Sequence, residues 1–143
     1  MMEFFDAISI RLHEVFGDKY TIYLEAVEQN LQTPCFFIQP LNPMDANMIY
    51  NRKAREYPFV IDYIPEDATG HRAQFAEVTE KLFDSFDFLT LADGTVLPTF
   101  DRNIDVTDDI LHFIVRFKFE YLTDLPEESM QESLEMSVID NDS

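Results

Sequence analysis

Apolar residues recur at steps of three and four near the start of the chain, where Phe5, Ile8, Leu12 and Val15 or Phe16 share one side of a helix predicted from about Glu3 to Phe16. Gly17-Asp18 supplies the stop. The period then changes to two: Tyr20, Ile22 and Leu24 alternate with Lys19, Thr21 and Tyr23, which predicts a strand. Residues Glu25 to Thr33 read as a turn and connection into a second strand, Pro34-Cys35-Phe36-Phe37-Ile38, which Pro40, Asn42 and Pro43 end. Met44 to Tyr50 has no single period and reads as a loop or as the continuation of an extended hairpin arm. From Arg55 to Tyr63 alternation returns, with Tyr57, Phe59, Ile61 and Tyr63 on one face and Pro58, Val60, Asp62 and Ile64 on the other. Pro58 has no N–H for a ladder, so this strand is expected at a sheet edge or to carry an irregularity there.

A second helix is predicted over about Thr69 to Phe86, where Phe75, Val78, Leu82 and Phe86 form a stripe that Thr79 and Phe83 widen. Phe88-Leu89-Thr90-Leu91 and Val96-Leu97 flank Ala92-Asp93-Gly94-Thr95, whose Asp-Gly pair favours the positive φ angles of a tight hairpin. Pro98 is expected to interrupt that arm. Phe100, Arg102, Ile104 and Val106 then alternate with Asp101, Asn103 and Asp105 as a half-exposed strand. The clearest strand is the last: Leu111, Phe113, Val115, Phe117, Phe119 and Tyr121 face one way, and His112, Ile114, Arg116, Lys118 and Glu120 the other. A one-residue slip would expose that whole aromatic row, so its register is expected to be firmly set. Helix, two or three strands, helix and three strands predict an α+β domain over residues 1–123. Its sheet is largely antiparallel or mixed, with two helices packed on one face.

Composition suits one compact domain. The 143 residues include 14 Phe and 6 Tyr but no Trp, so aromatic packing is expected to dominate the core. Cys35, the one cysteine, reads as a small buried residue within a strand, and a chain without an internal disulfide suits a reducing compartment. Met1 to Asp6 has neither a basic n-region nor an apolar h-region, and no segment approaches the length of a membrane span, so neither a secretory signal nor membrane insertion is expected. The net charge is −18. Asp124, Glu127, Glu128, Glu132, Glu135, Asp140 and Asp142 make residues 124–143 an acidic C-terminal tail without Lys or Arg, for which disorder is expected at least at its end. That sign disfavours direct binding to nucleic-acid phosphates or anionic membranes.

Chemistry is hard to place on this chain. His13, His71 and His112 fall in separate elements, and one Cys cannot complete a thiolate site, so no metal centre is expected. Three glycines, Gly17, Gly70 and Gly94, cannot form a dinucleotide or phosphate loop, so no cofactor is expected. Asp105, Asp108 and Asp109 lack the Gly and terminal Glu of a Ca²⁺ loop and read as an Asp-rich turn. No nucleophile and base stand out, and no catalytic residue is assigned.

Ile22-Tyr23, Glu28-Gln29, Pro34 to Ile38, Tyr50-Asn51-Arg52, Phe59 to Tyr63 and Asp109 to Phe113 resemble, over about residues 8 to 122, the tail terminator family of tailed bacteriophages and prophages. The resemblance implies a small non-enzymatic α/β protein that forms a hexameric ring at the head-proximal end of the tail tube. A monomer in dilute solution is compatible with it. The implied partners are further copies of the chain, the tail tube protein and a head–tail connector or stopper protein. DNA would pass through the channel without specific binding, and assembly would take place in the host cytoplasm. Within that setting Arg52, Lys53 and Arg55 are candidate interfacial cations facing a neighbour's acidic surface, and Met44, Met48 and Tyr50 belong to a Met-rich segment suited to ordering on contact. A rival from another class is an acidic DNA mimic that inhibits a nucleic-acid enzyme, which the net charge suits and the clustered cations do not.

Overall fold

The structure is a computed structural model that describes residues 2–24, 30–66 and 71–123. Helix α1 (Met2–Phe16) leads into β1 (Thr21–Tyr23), β2 (Cys35–Pro40), β3 (Met44–Asn47) and β4 (Arg52–Ile64). Helix α2 (His71–Ser85) then precedes β5 (Phe88–Thr90), β6 (Val96–Thr107) and β7 (Ile110–Leu122). The expected α+β class holds, and the sheet is mixed. Its order is β1-β2-β4-β7-β6-β5, with β3 joining β4 off that path. The β1–β2 pair is parallel and the other pairs are antiparallel.

The alternation read from sequence is the alternation of burial. Phe59, Ile61 and Tyr63 of β4 and Leu111, Phe113, Val115 and Phe117 of β7 are all buried, in the register Tyr57↔Phe117, Phe59↔Val115, Ile61↔Phe113 and Tyr63↔Leu111. These side chains meet rings from both helices: Phe4 of α1 lies 5.5 Å from Phe59 and 5.8 Å from Phe117, and Phe83 of α2 lies 6.1 Å from Phe113. Each fully buried Phe contributes about 1.5–3 kcal/mol through the apolar surface it withdraws from water.

Helix α1 ends where expected. Gly17 takes φ +86, and its N–H donates to the His13 carbonyl at 2.9 Å, a left-handed C-terminal cap. Between β5 and β6, Gly94 takes φ +91 and the Thr95 N–H donates to Asp93 Oδ1 at 2.9 Å. Asp108 and Asp109 both have positive φ and join β6 to β7 as a two-residue turn closed by the Thr107↔Ile110 pair, which bears out the Asp-rich turn.

Four strands precede α2 rather than two or three, because Met44–Asn47 forms β3. Strand β4 is also not an edge strand; it lies between β2 and β7. The irregularity expected at Pro58 is present instead. Pairing with β2 ends at Pro40↔Phe59 and pairing with β3 begins at Met44↔Glu56, so the proline faces the gap between two partners. There its carbonyl accepts from the Leu41 N–H at 2.9 Å. Pro98 does not interrupt its strand. Thr99 N–H bonds the Asp87 carbonyl, so alternation turns the Pro98 nitrogen away from β5, and the ladder to β7 opens only at Thr99. Residues Glu25–Gln29, the Thr69 start expected for the second helix and the acidic tail all lie outside the described residues.

Candidate functional site

Strand β4 is longer than β2, and its first half leaves the body of the sheet. Residues 52–56 extend past the β2 pair for roughly 16 Å at ~3.3 Å per residue. They pair on one side with β3 (Asp45↔Arg55, Asn47↔Lys53) and on the other with the end of β7 (Arg52↔Leu122, Arg55↔Phe119), forming a three-stranded arm. Of the two readings open for Met44–Tyr50, the extended hairpin is the one that forms.

Aromatic rings stiffen this arm from its base. Phe4 lies 4.7 Å from Tyr57, Tyr57 stacks on Phe119 at 5.8 Å with planes 10° apart, and Phe119 meets Tyr121 at 5.8 Å. The Arg55 guanidinium lies 4.8 Å from the Tyr121 ring, and its Nε donates to Asp45 Oδ1 at 3.3 Å. Hydrogen bonding to Tyr57, with smaller contributions from Tyr121 and Asp45, raises the Arg55 pKa above its ordinary value. At the tip, the Met48 N–H donates to the Arg52 carbonyl at 2.8 Å and Tyr50 adopts φ +60. Asn51 Nδ2 donates to the Thr123 carbonyl at 2.8 Å, and the Thr123 N–H returns a bond to the Asn51 carbonyl, tying tip to β7.

The six residues singled out from sequence therefore share one structural unit. Met44, Met48 and Tyr50 are exposed, with Tyr50 84% open to solvent. Arg52 and Lys53 form no ion pair among the described residues, whereas Arg55 is held by its own hairpin. Sequence reading passed over Ile49, which is 77% exposed beside Tyr50, and Leu122, which is also exposed. The signal for Ile49 was present in Asn47-Met48-Ile49-Tyr50-Asn51, three apolar residues inside an asparagine-flanked turn where no core can take them.

A shallow groove of about 260 Å³ lies between α1 and β5, with Ile10, Leu89 and Leu91 among its apolar lining and Glu3, Asp6 and Glu14 among its polar lining. On the sheet face opposite the aromatic row, His112 Nδ1 and Asp62 Oδ1 pair at 2.5 Å across the β4–β7 register. Burial pushes the Cys35 thiol up in pKa, the reverse of what activates a nucleophile. No group of three His, Cys, Asp or Glu side chains is placed to hold a metal among the described residues. No described helix is long and apolar enough to cross a membrane.

A profile described as phage tail terminator protein matches residues 3–131, which takes in both helices, the sheet and the whole arm. The chain belongs to the phage tail terminator family. The match is wider than the residues 8 to 122 that carry the sequence resemblance. No match to a curated protein was found. Tail terminators are structural proteins of the phage tail, so the chain is a virion tail component, and membership gives no support to a DNA mimic.

Proposed function

We propose that copies of this tail terminator close head to tail into a hexameric ring on the head-proximal end of the tail tube. One side of the ring buries the surface on which the next tube subunit would add; the other receives the head connector or stopper protein. Polymerisation stops for want of a template. Rotation that closes gives a ring, and rotation that does not would give a filament, so the ring depends on two different, matching surfaces on each copy.

The observation that carries this reading is the family match over residues 3–131. The arm supports it physically, because Met44, Met48, Ile49 and Tyr50 lie exposed on a braced hairpin. Arg52 and Lys53, with Arg55 behind them, set the orientation of the contact. Rings of both helices meet the buried row that includes Phe59 and Phe113, and the arm stands beyond that packing, open to a neighbour. Residues 1–123 act as the folded domain and residues 124–143 as an acidic tail. Six copies at −18 each give a strongly negative ring, so DNA passes through the channel without specific binding. The ring forms in the host cytoplasm before the tail meets the head.

Purified tail tube protein polymerising with and without this chain tests the reading by electron microscopy. Tubes should stop growing and carry a ring at one end when the chain is present. A Met48→Ser, Tyr50→Ser, Arg52→Glu variant should keep its circular dichroism spectrum and lose the effect. Unabated growth with the unaltered chain contradicts capping.

A further inference from the structure

We propose that the groove between α1 and β5 receives the hairpin tip of the neighbouring copy, with Ile49 and Tyr50 entering it and Arg52 and Lys53 resting on its acidic rim. This deepens the ring reading above and rests on it.

The two surfaces are complementary in two independent respects. The tip is apolar and flanked by cations: Ile49 and Tyr50 are the most exposed large apolar side chains among the described residues, and Arg52 and Lys53 follow them after Asn51. The groove is apolar and flanked by anions. Ile10 is 58% exposed at its mouth, Leu89 and Leu91 lie deeper, and Glu3, Asp6 and Glu14 stand along the exposed side of α1. Arg11, the lining cation among the described residues, is already committed: a guanidinium N–H donates to the Ser85 carbonyl at 2.6 Å, and the group lies over Phe88 at 5.2 Å. At about 260 Å³ the groove is smaller than the ~300–1,000 Å³ of typical small-molecule pockets. It suits one or two side chains of a hairpin better than a free ligand.

Neither surface is complementary to itself. Two tips would oppose cations and two grooves would oppose carboxylates, so pairing of like surfaces is disfavoured and the contact runs from the tip of one copy to the groove of another. The fold sets them apart accordingly: the arm belongs to β3 and β4, and β5 lies three places along the sheet from β4, at its far edge. A head-to-tail chain can therefore continue from copy to copy. The contact is also small beside the ~800 Å² per partner of a stable interface, so it holds weakly in dilute solution and needs the tube end to align the copies.

Cross-linking on capped tail tubes tests the pairing with the full chain. Tyr50→Cys combined with Ile10→Cys, treated with a short bismaleimide, should give a ladder of covalent oligomers; the buried Cys35 thiol stays out of reaction. Tyr50→Cys combined with Val106→Cys, exposed near the end of β6, should give none. Charge reversal supplies a second readout: Arg52→Glu with Lys53→Glu should weaken capping about tenfold or more, and Asp6→Lys with Glu14→Lys in the same chain should restore it. Capping that persists with no Tyr50–Ile10 ladder, a ladder from the Val106 pair instead, or no rescue by the reversed rim overturns the groove assignment while leaving the ring intact. Loss of capping by the unaltered chain removes the ring itself.

Discussion

Cys35 and Tyr63 are acids that the core keeps protonated. Both are buried, and burial raises the pKa of each; the Tyr63 hydroxyl also donates to Gln74 Oε1 at 3.1 Å. In the unfolded chain they ionise from their ordinary values of 9.0 and 10.0. Above each of those values the unfolded state binds fewer protons than the folded state, so stability falls as pH rises, at about 1.4 kcal/mol per pH unit for each group. Urea unfolding between pH 8 and 11 should show the decline beginning near pH 9, and Cys35→Ala should delay its onset to about pH 10. An identical profile for the two chains contradicts the burial of that thiol. Asp93 shifts the other way, because the Thr95 N–H holds its carboxylate below the ordinary value. Its turn rests on Gly94 at φ +91, a conformation that strains any other L residue. Gly94→Ala should therefore cost about 1 kcal/mol in urea unfolding, even though the added methyl group meets nothing within 4 Å. These residues were legible because alternation marks buried positions and Asp-Gly marks a hairpin. Tip Ile49 escaped period-two reasoning, because its signal is the asparagine-flanked turn around it and not an alternation.

At the scale of elements, both helices and the last strand could be read from one chain because each carries its own period. The arm could not. Met44–Asn47 is exposed along its whole length, so no buried residue repeats at every second position, and its strand conformation comes from pairing with β4. Pro98 misled, and Pro58 left an edge and an irregularity both open, for a related reason: a missing N–H matters only on the side where a partner strand runs, and sequence alone does not show that side. Tyr57 and Phe119 brace the arm as a stacked pair, a contact worth about 0.5–1.5 kcal/mol beyond the area it buries. Phe119→Ala should speed hydrogen exchange at β3 amides and weaken capping while leaving the buried amides of β7 around Phe113 protected. Equal acceleration throughout the sheet would show that the arm is no separate unit. Phe113 itself is fully buried against Phe83 and Phe86, and Phe113→Ala should cost about 3–5 kcal/mol in urea unfolding.

For the whole molecule, the titratable groups that usually carry chemistry are dispersed over the fold. His13, His71 and His112 lie in different elements, and among them His112 pairs with Asp62 across two strands without a nucleophile assigned beside it. The fold presents a braced basic hairpin on the arm and an acidic groove between α1 and β5, the two surfaces that the proposed ring would join. The groove was illegible in sequence, since Glu3, Asp6 and Ile10 meet Leu89 and Leu91 only after α1 settles beside β5. The central claim is that this chain ends the tail tube as a ring. Electron microscopy of particles made by phage with and without it is the most direct measurement. Uniform tails joined to heads are expected when the chain is present, and overlong tubes free of heads when it is missing. Tails of normal length, joined to filled heads in its absence, would contradict it.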